Sequence, residues 1–380
     1  MTGVYLDGNA TAPVRPEAAQ AVAAALAAGG NASSVHAAGR AARARVEAAR
    51  ADVAALAGAR PSAVVFTSGG AEANALAVAS AVAAGAGRLL VSAVEHATVL
   101  EAARASAAAV ELVPVDAEGV ADLAWLAERL ARWDLADGRP FAALMLANNE
   151  TGVIQPVAGA AALVRAAGGW LHVDAVQAAG KIPVDFAGLG AHSLSLSAHK
   201  LGGPQGAGAL AAAADVTLSR QLHGGGQERG YRAGTENVPG IAGFAAAARA
   251  ALRDLAHAAA QAAWRDAAQA RLAAAGAVVA GANAPRLPNT LCVAAPGRTS
   301  ELQVIALDLA GVMVSAGAAC SSGKVSASAV LAAMGLGELS ACAVRASGSW
   351  ATTEDDWARF TQAWIEANDR HAARRRATAA

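Results

Sequence analysis

Residues 192–200 read "HSLSLSAHK". A short β-type run ends there in a polar cluster, Ser197 to Lys200, which opens onto the glycine-rich turn "LGGPQGAG". The same pattern occurs upstream at "AVVFTSGG", "RLLVSAVEH", "FAALMLANNE" and "WLHVDAVQ", with alanine-rich helical stretches along the way. Strand, loop and helix recurring in this order predict a mostly parallel sheet with helices on both faces. Polar residues follow each run: Ser68 and Gly69, Glu95 and His96, Asn148 to Glu150, Asp174 and Gln177, Ser197 to Lys200. Ligands of open α/β sheets bind beyond the carboxyl ends of the strands, so five loops are candidates for one shared site.

A chain of 380 residues is expected to divide into two domains. Residues 12–250 form the expected large α/β domain; residues 1–11 with 251–380 form a smaller α+β one. The second part opens with a long alanine-rich helix, "AAAARAALRDLAHAAAQAAWRDAAQARLAAAG", followed by "PNTLCVAAP", which reads as a strand. Hydrophobic residues make up 55% of the chain, but alanine carries much of that figure and no uncharged apolar run is long enough to span a bilayer. A soluble, cytoplasmic protein without membrane contact is expected. Thirty basic and thirty acidic residues cancel, so no net field draws the chain to nucleic acid. The basic tail "RHAARRRATAA" reads as a solvated helix end. Cys292, Cys320 and Cys342 are widely spaced, which argues against a disulfide framework and against a zinc site.

Of the thirty lysines and arginines only three are lysines. A surface cation here would ordinarily be arginine, so Lys200 is a candidate for the neutral amine that a guanidinium cannot supply. "FTSGGAEANALAV" places a glycine turn before a helix, either a plain turn or a phosphate cradle of backbone N–H groups. Asp174 closes an apolar run and is either a cap for the next segment or the partner of a protonated ring nitrogen. A lysine that forms a Schiff base, an acid for a pyridinium nitrogen and a phosphate cradle are together the parts that pyridoxal phosphate requires.

"YLDGNAT", "GNASSVHAAGRAAR", "FTSGGAEAN", "EHATVL", "NNETGVIQPV", "HVDAVQAAGK", "SAHKLGGPQGAGAL", "GGGQERGYRAGTEN" and "SAGAACSSG" follow one another in this order. Together they resemble the cysteine desulfurases, fold-type-I pyridoxal phosphate enzymes of the class V aminotransferase group. The resemblance runs from Tyr5 to about Asp356. It implies that Lys200 joins the cofactor covalently, that Asp174 faces the pyridine nitrogen and that Gln177 contacts the ring hydroxyl. It places His96 on the ring face as a proton mover, Asn149 near cofactor and substrate, and Gly70, Ala71, Ser197 and His199 around the phosphate. Thr235 would reach the phosphate of a neighbouring subunit, which makes a homodimer part of the expectation. Arg345 would grip the substrate carboxylate, and Cys320 would be the nucleophile that takes the sulfur. Cys292 reads as a core strand position and Cys342 as a packing residue.

The chain departs from the family in places. Ala71 stands where threonine is usual, Ala316 and Ala318 where serines are common, and Ala329 where histidine or tyrosine is common; "ASGSW" follows Arg345. The activity implied is removal of sulfur from L-cysteine, giving alanine and a Cys320 persulfide for a sulfur-acceptor protein such as an iron–sulfur scaffold or sulfur carrier. The alternatives are a selenocysteine lyase or another class V aminotransferase, and a catalytically idle scaffold that binds sulfur acceptors.

Overall fold

The computed structural model describes residues 3–316 and 327–379. The strands in chain order are Val4–Tyr5 (β1), Val64–Thr67 (β2), Arg88–Ser92 (β3), Ala109–Val113 (β4), Phe141–Ala143 (β5), Trp170–Asp174 (β6), Ser193–Ser197 (β7) and Gly208–Ala212 (β8), then Val278–Val279 (β9), Thr290–Ala294 (β10), Val312–Met313 (β11), Ser315–Ala316 (β12) and Ala343–Ser347 (β13). Seven of them form one sheet in the order β2-β8-β7-β6-β5-β3-β4. All its pairs are parallel except those of β8, which runs against both β2 and β7. The carboxyl ends of β2, β3, β5, β6 and β7 therefore lie along one edge.

Side-chain alternation divides the sheet between two apolar layers. Val64, Phe66, Leu90, Ala142, Leu171, Val173, Ala209 and Ala211 join one core, which includes Val46 and Val53 of the helix Ala37–Ala57 and Phe244 of the helix Val238–Asp254. Val65, Leu89, Val91, Phe141, Trp170 and Leu210 face the other, beneath the helices Gly70–Ala83 and Ala97–Arg104. Burial on both faces lets β6 carry Trp170, Leu171 and Val173, and its two polar residues, His172 and Asp174, are buried with them. The serines of β7 occupy the face against the helix Gly70–Ala83, where a small side chain lets the helix approach closely; Ser193 and Ser195 are fully buried.

The sheet is the expected architecture, but two of its strands have no counterpart among the five runs read from the sequence. The edge strand β4 keeps Leu112 exposed, and β8 is glycine, alanine and one leucine. The long alanine-rich helix is also corrected: it breaks into Val238–Asp254 and Ala258–Ala274 around a single 3₁₀ turn at Leu255–His257. "PNTLCVAAP" does contain a strand, β10, in a four-stranded sheet of order β12-β13-β10-β9, while β1 pairs with β11. Cys292 is wholly buried in β10, and burial pushes its thiol up to about 12. Cys342 is half-buried against the neighbouring apolar cluster. The chain ends in the helix Glu354–Ala379, and among the described residues no helix is long and apolar enough to cross a membrane.

One buried ion pair holds the glycine-rich segment 224–234 against β2. Glu228 and Arg229 both adopt positive φ, 46° and 57°. The Glu228 carboxylate accepts from Arg50 Nη1 at 2.7 Å, from Arg50 Nη2 at 2.9 Å and from the Phe66 backbone N–H at 2.8 Å. Removing Glu228 leaves Arg50 with only the half-exposed Glu47 and the Phe66 N–H without an acceptor, so Glu228→Ala is expected to cost about 2–4 kcal/mol in denaturant unfolding. The double change Arg50→Leu with Glu228→Leu should recover part of that loss; a double variant no better than the single one would show that charge burial is not the cause.

Candidate active site

Five strand ends and the N-terminal segment converge on a cavity of about 500 Å³. Lys200 lies at the end of the turn after β7, and its Nζ donates to the backbone carbonyls of Asn9 at 2.7 Å and Ala10 at 2.8 Å. Burial, reinforced by the Arg345 cation, brings its amine down to about 8. Asp174 closes β6 and uses its two oxygens differently. Oδ1 accepts the Val176 backbone N–H at 2.9 Å, which is the capping role, while Oδ2 accepts from Asn74 Nδ2 at 2.8 Å. The capping contact is therefore present, and Asp174 also lines the cavity.

His96 follows β3 as the N-cap of the helix Ala97–Arg104, and burial lowers its pKa. Its neighbour Glu95 is wholly enclosed; burial and the nearby Asp174 push its carboxyl well above the usual range. Gly70 and Ala71 open the helix Gly70–Ala83, whose N-terminus has no side-chain cap. A Cβ on Gly208 of β8 would come within 2.5 Å of Gly69 Cα, so the glycine there lets β8 pass beneath the turn. Ser197 is buried at the end of β7, and His199 Nδ1 lies 3.2 Å from Thr11 Oγ1 with burial lowering its pKa to about 4.

Arg345 on β13 reaches the cavity from the second sheet. Its Nη2 meets Asp7 Oδ1 at 2.7 Å and its Nη1 donates to the Asn149 carbonyl at 3.1 Å, while the buried Nε has no partner among the described residues. Gln177 donates from Nε2 to the Asn9 carbonyl at 3.0 Å. Ten residues singled out from the sequence, Gly70, Ala71, His96, Asn149, Asp174, Gln177, Ser197, His199, Lys200 and Arg345, line this one cavity. Thr235 does not; it is exposed in the segment after Gly234. Cys320 lies outside the described residues.

Three further residues were missed. Asn9 is buried and joins both sheets: Nδ2 donates to Asn149 O and Thr290 Oγ1, Oδ1 accepts from Lys181 and Asn289, and the backbone N–H donates to Ser347 Oγ. Lys181 Nζ, 2.7 Å from Gln177 Oε1, is held well below the usual lysine range by burial and by the Lys200 and Arg345 cations. The rarity of lysine, which drew attention to Lys200, applied equally to Lys181. Asn74, on the helix Gly70–Ala83, is the third.

Comparison with known proteins places this geometry. The chain belongs to the aminotransferase class-V family, whose profile matches residues 4–360. Among curated relatives, the cysteine desulfurase of Cereibacter sphaeroides is 44% identical over 342 residues, 88% of this chain and 87% of that protein. The solved NifS-like protein from Rickettsia africae superposes with a TM-score of 0.89 at 30% identity, covering 97% of this chain and 99% of that one. SspA, solved in complex with cysteine, superposes with a TM-score of 0.77 at 26% identity, covering 90% and 98% of the two chains. The family depends on pyridoxal phosphate, and the cavity suits that group: an enclosed amine close to neutrality, a carboxylate at a strand end and an uncapped helix N-terminus without a bulky side chain.

Lys200 generates a pH prediction. Its amine is protonated below about pH 8 and free above it. The rate at which cofactor-free protein captures pyridoxal phosphate should therefore rise with pH and level off above about 8. A plateau only near the ordinary lysine value would mean that burial does not tune this amine, and Lys200→Ala should abolish the capture.

Proposed function

We propose that this chain is a cysteine desulfurase acting on L-cysteine, with Lys200, Asp174 and Arg345 around one cavity as the observation that carries the reading. The products are L-alanine and a persulfide on Cys320, so one sulfur passes from the substrate carbon to the thiol. A sulfur-acceptor protein, for iron–sulfur cluster assembly or for tRNA or thiocofactor thiolation, then receives it. The cysteine held by the structurally similar SspA supports the choice of substrate.

Pyridoxal phosphate, when bound, supplies a sink for the electron pair left at the substrate Cα. Lys200 would hold the cofactor, and its free amine would accept the Cα proton; a buried amine near 8 suits a base working at neutral pH. Asp174 would accept at the ring nitrogen, Gln177 would meet the ring hydroxyl, and His96 would cover the ring. Gly70, Ala71, Ser197 and His199 would hold the phosphate, with Ala71 offering only its backbone. Losing the threonine hydroxyl usual there costs on the order of 1 kcal/mol. Arg345 takes the substrate carboxylate beside Asn149, a task suited to a two-pronged guanidinium. The thiolate of Cys320 is the attacking form.

The same reading assigns a cytoplasmic homodimer, in which each Thr235 serves the other chain's cavity; its exposure outside its own cavity supports this. It also divides the chain into residues 12–250 and residues 1–11 with 251–380, the second part carrying Cys320.

The test is an absorbance spectrum before and after L-cysteine, with alanine and sulfide assayed together. A cofactor band that shifts while both products appear supports the reading; a shift without either product moves the substrate elsewhere. Cys320→Ala should keep the cofactor band and lose sulfide release, and undiminished release would remove Cys320 from its role. Arg345→Gln should raise KM for L-cysteine about tenfold or more, the worth of a charge-assisted hydrogen bond; an unchanged KM would show that the carboxylate binds elsewhere.

A further inference from the structure

Behind the cavity, buried polar groups with no part in the roles above link Asp174 to His96. The Trp170 indole N–H donates to Ser193 Oγ at 2.9 Å, and that oxygen lies 2.9 Å from His172 Nδ1. His172 Nε2 is 3.0 Å from Asn74 Oδ1. Asn74 Nδ2 donates to Asp174 Oδ2 at 2.8 Å and to Thr98 Oγ1 at 2.9 Å. Thr98 ends the chain at His96: Oγ1 lies 2.9 Å from Nδ1, and the Thr98 backbone N–H donates to the same nitrogen at 3.2 Å.

Donor and acceptor chemistry gives every link a direction. A backbone N–H only donates, so His96 Nδ1 is an acceptor and carries no proton. The Asp174 oxygen accepts, which turns the Asn74 amide nitrogen toward it and the amide oxygen toward His172. An amide oxygen only accepts, so the proton of His172 sits on Nε2. Burial lowers His172 to about 4, leaving a neutral ring whose Nδ1 takes the Ser193 hydroxyl proton. Ser193 Oγ in turn accepts from Trp170, whose indole has no other option.

We propose that Asn74 is a positioning residue that sets two parts of the site at once: one N–H holds Asp174 as an acceptor, and the other orients the Thr98 hydroxyl toward His96 Nδ1, reinforcing the tautomer with its proton on Nε2 that the Thr98 backbone N–H requires. With Nδ1 committed to Thr98, Nε2 is the ring nitrogen left for the cavity that His96 lines. His96 therefore meets the reacting groups as a hydrogen-bond donor. To accept a proton at Nε2 it must first change tautomer and give up both bonds from Thr98, so the base at Cα is Lys200 alone. The inference rests on the reading in which Asp174 and His96 flank the cofactor.

The direct test is nitrogen-15 NMR of the full chain labelled at histidine, with and without pyridoxal phosphate, with the His96 signals assigned by their loss in His96→Gln. The expected result is an unprotonated Nδ1 and a protonated Nε2; a proton on Nδ1, or exchange between the two tautomers, overturns the proposal. Kinetics supply an independent arm. His172→Gln keeps an N–H toward Asn74 and should stay within about threefold of the parent kcat. His172→Phe and Asn74→Leu should lower kcat about 10–100-fold, the usual loss when the partner orienting a functional side chain is removed, with KM nearly unchanged. Equal losses in His172→Gln and His172→Phe would reduce His172 to packing and overturn the relay. Should the apolar variants fail to fold, the tautomer in the parent protein decides alone. The expected tautomer in a parent that yields no alanine or sulfide from L-cysteine would leave the relay standing and overturn the desulfurase reading instead.

Discussion

Lys200 Nζ donates to the carbonyls of Asn9 and Ala10, and those two bonds oblige the N-terminal segment to lie across the carboxyl edge of the large sheet. Much else depends on that placement. With the segment there, Asp7 reaches Arg345 on β13, and Asn9 bridges Lys181 on one side to Asn289, Thr290 and Ser347 on the other. The amine is withdrawn from water yet supplied with acceptors, which is how a lysine stays ordered while its charge is made expensive. Arg345 adds like charge near both lysines, and burial also holds Lys181 well below its ordinary range. With Lys200 and Arg345 on its wall and Asp174 as the carboxylate among its described lining residues, the cavity is prepared for anions: a phosphate, a carboxylate, a thiolate.

The carboxylates present are kept distinct by environment. Glu95 is enclosed without a cation and pushed toward the neutral acid, while Asp174 takes N–H groups from Val176 and Asn74. Burial raises Glu150 to about 7, against the lowering effect of the hydrogen bond it accepts from Ser328 Oγ at 2.6 Å. Asp174 is the carboxylate that lines the cavity itself. Small side chains make this crowding feasible, since alanine and serine on β7 and β8 let a helix and a glycine turn sit directly over the strands.

Strands with strong hydrophobic contrast were legible in the sequence, because burial on both faces writes a continuous apolar run and each run stopped at a polar group bound for the shared edge. β4 and β8 were not, for opposite reasons: one is half-exposed at the sheet margin, and the other is too rich in alanine and glycine to differ from its helical neighbours. The break at Leu255–His257 is equally silent, since alanine favours helix on either side of it. Among site residues, those that end a strand and carry a charge or an imidazole were readable. Asn9 and Asn74 were not singled out, because asparagine in a loop or helix carries no charge signature; Lys181 was overlooked although it shares the rarity that marked Lys200.

Sequence by itself determined the class of fold and the chemical inventory: a parallel sheet with its polar loops on one edge, a rare lysine, an aspartate at a strand end and nine motifs in family order. Only the tertiary structure decided how those groups are used. The orientation of the Asn74 amide, the proton-free nitrogen of His96 and the joining of two sheets through Asn9 depend on distances between residues up to 338 positions apart in the chain. Hydrogen-bond direction is a property of pairs brought within about 3 Å, and no local pattern in a chain encodes which distant partner will arrive.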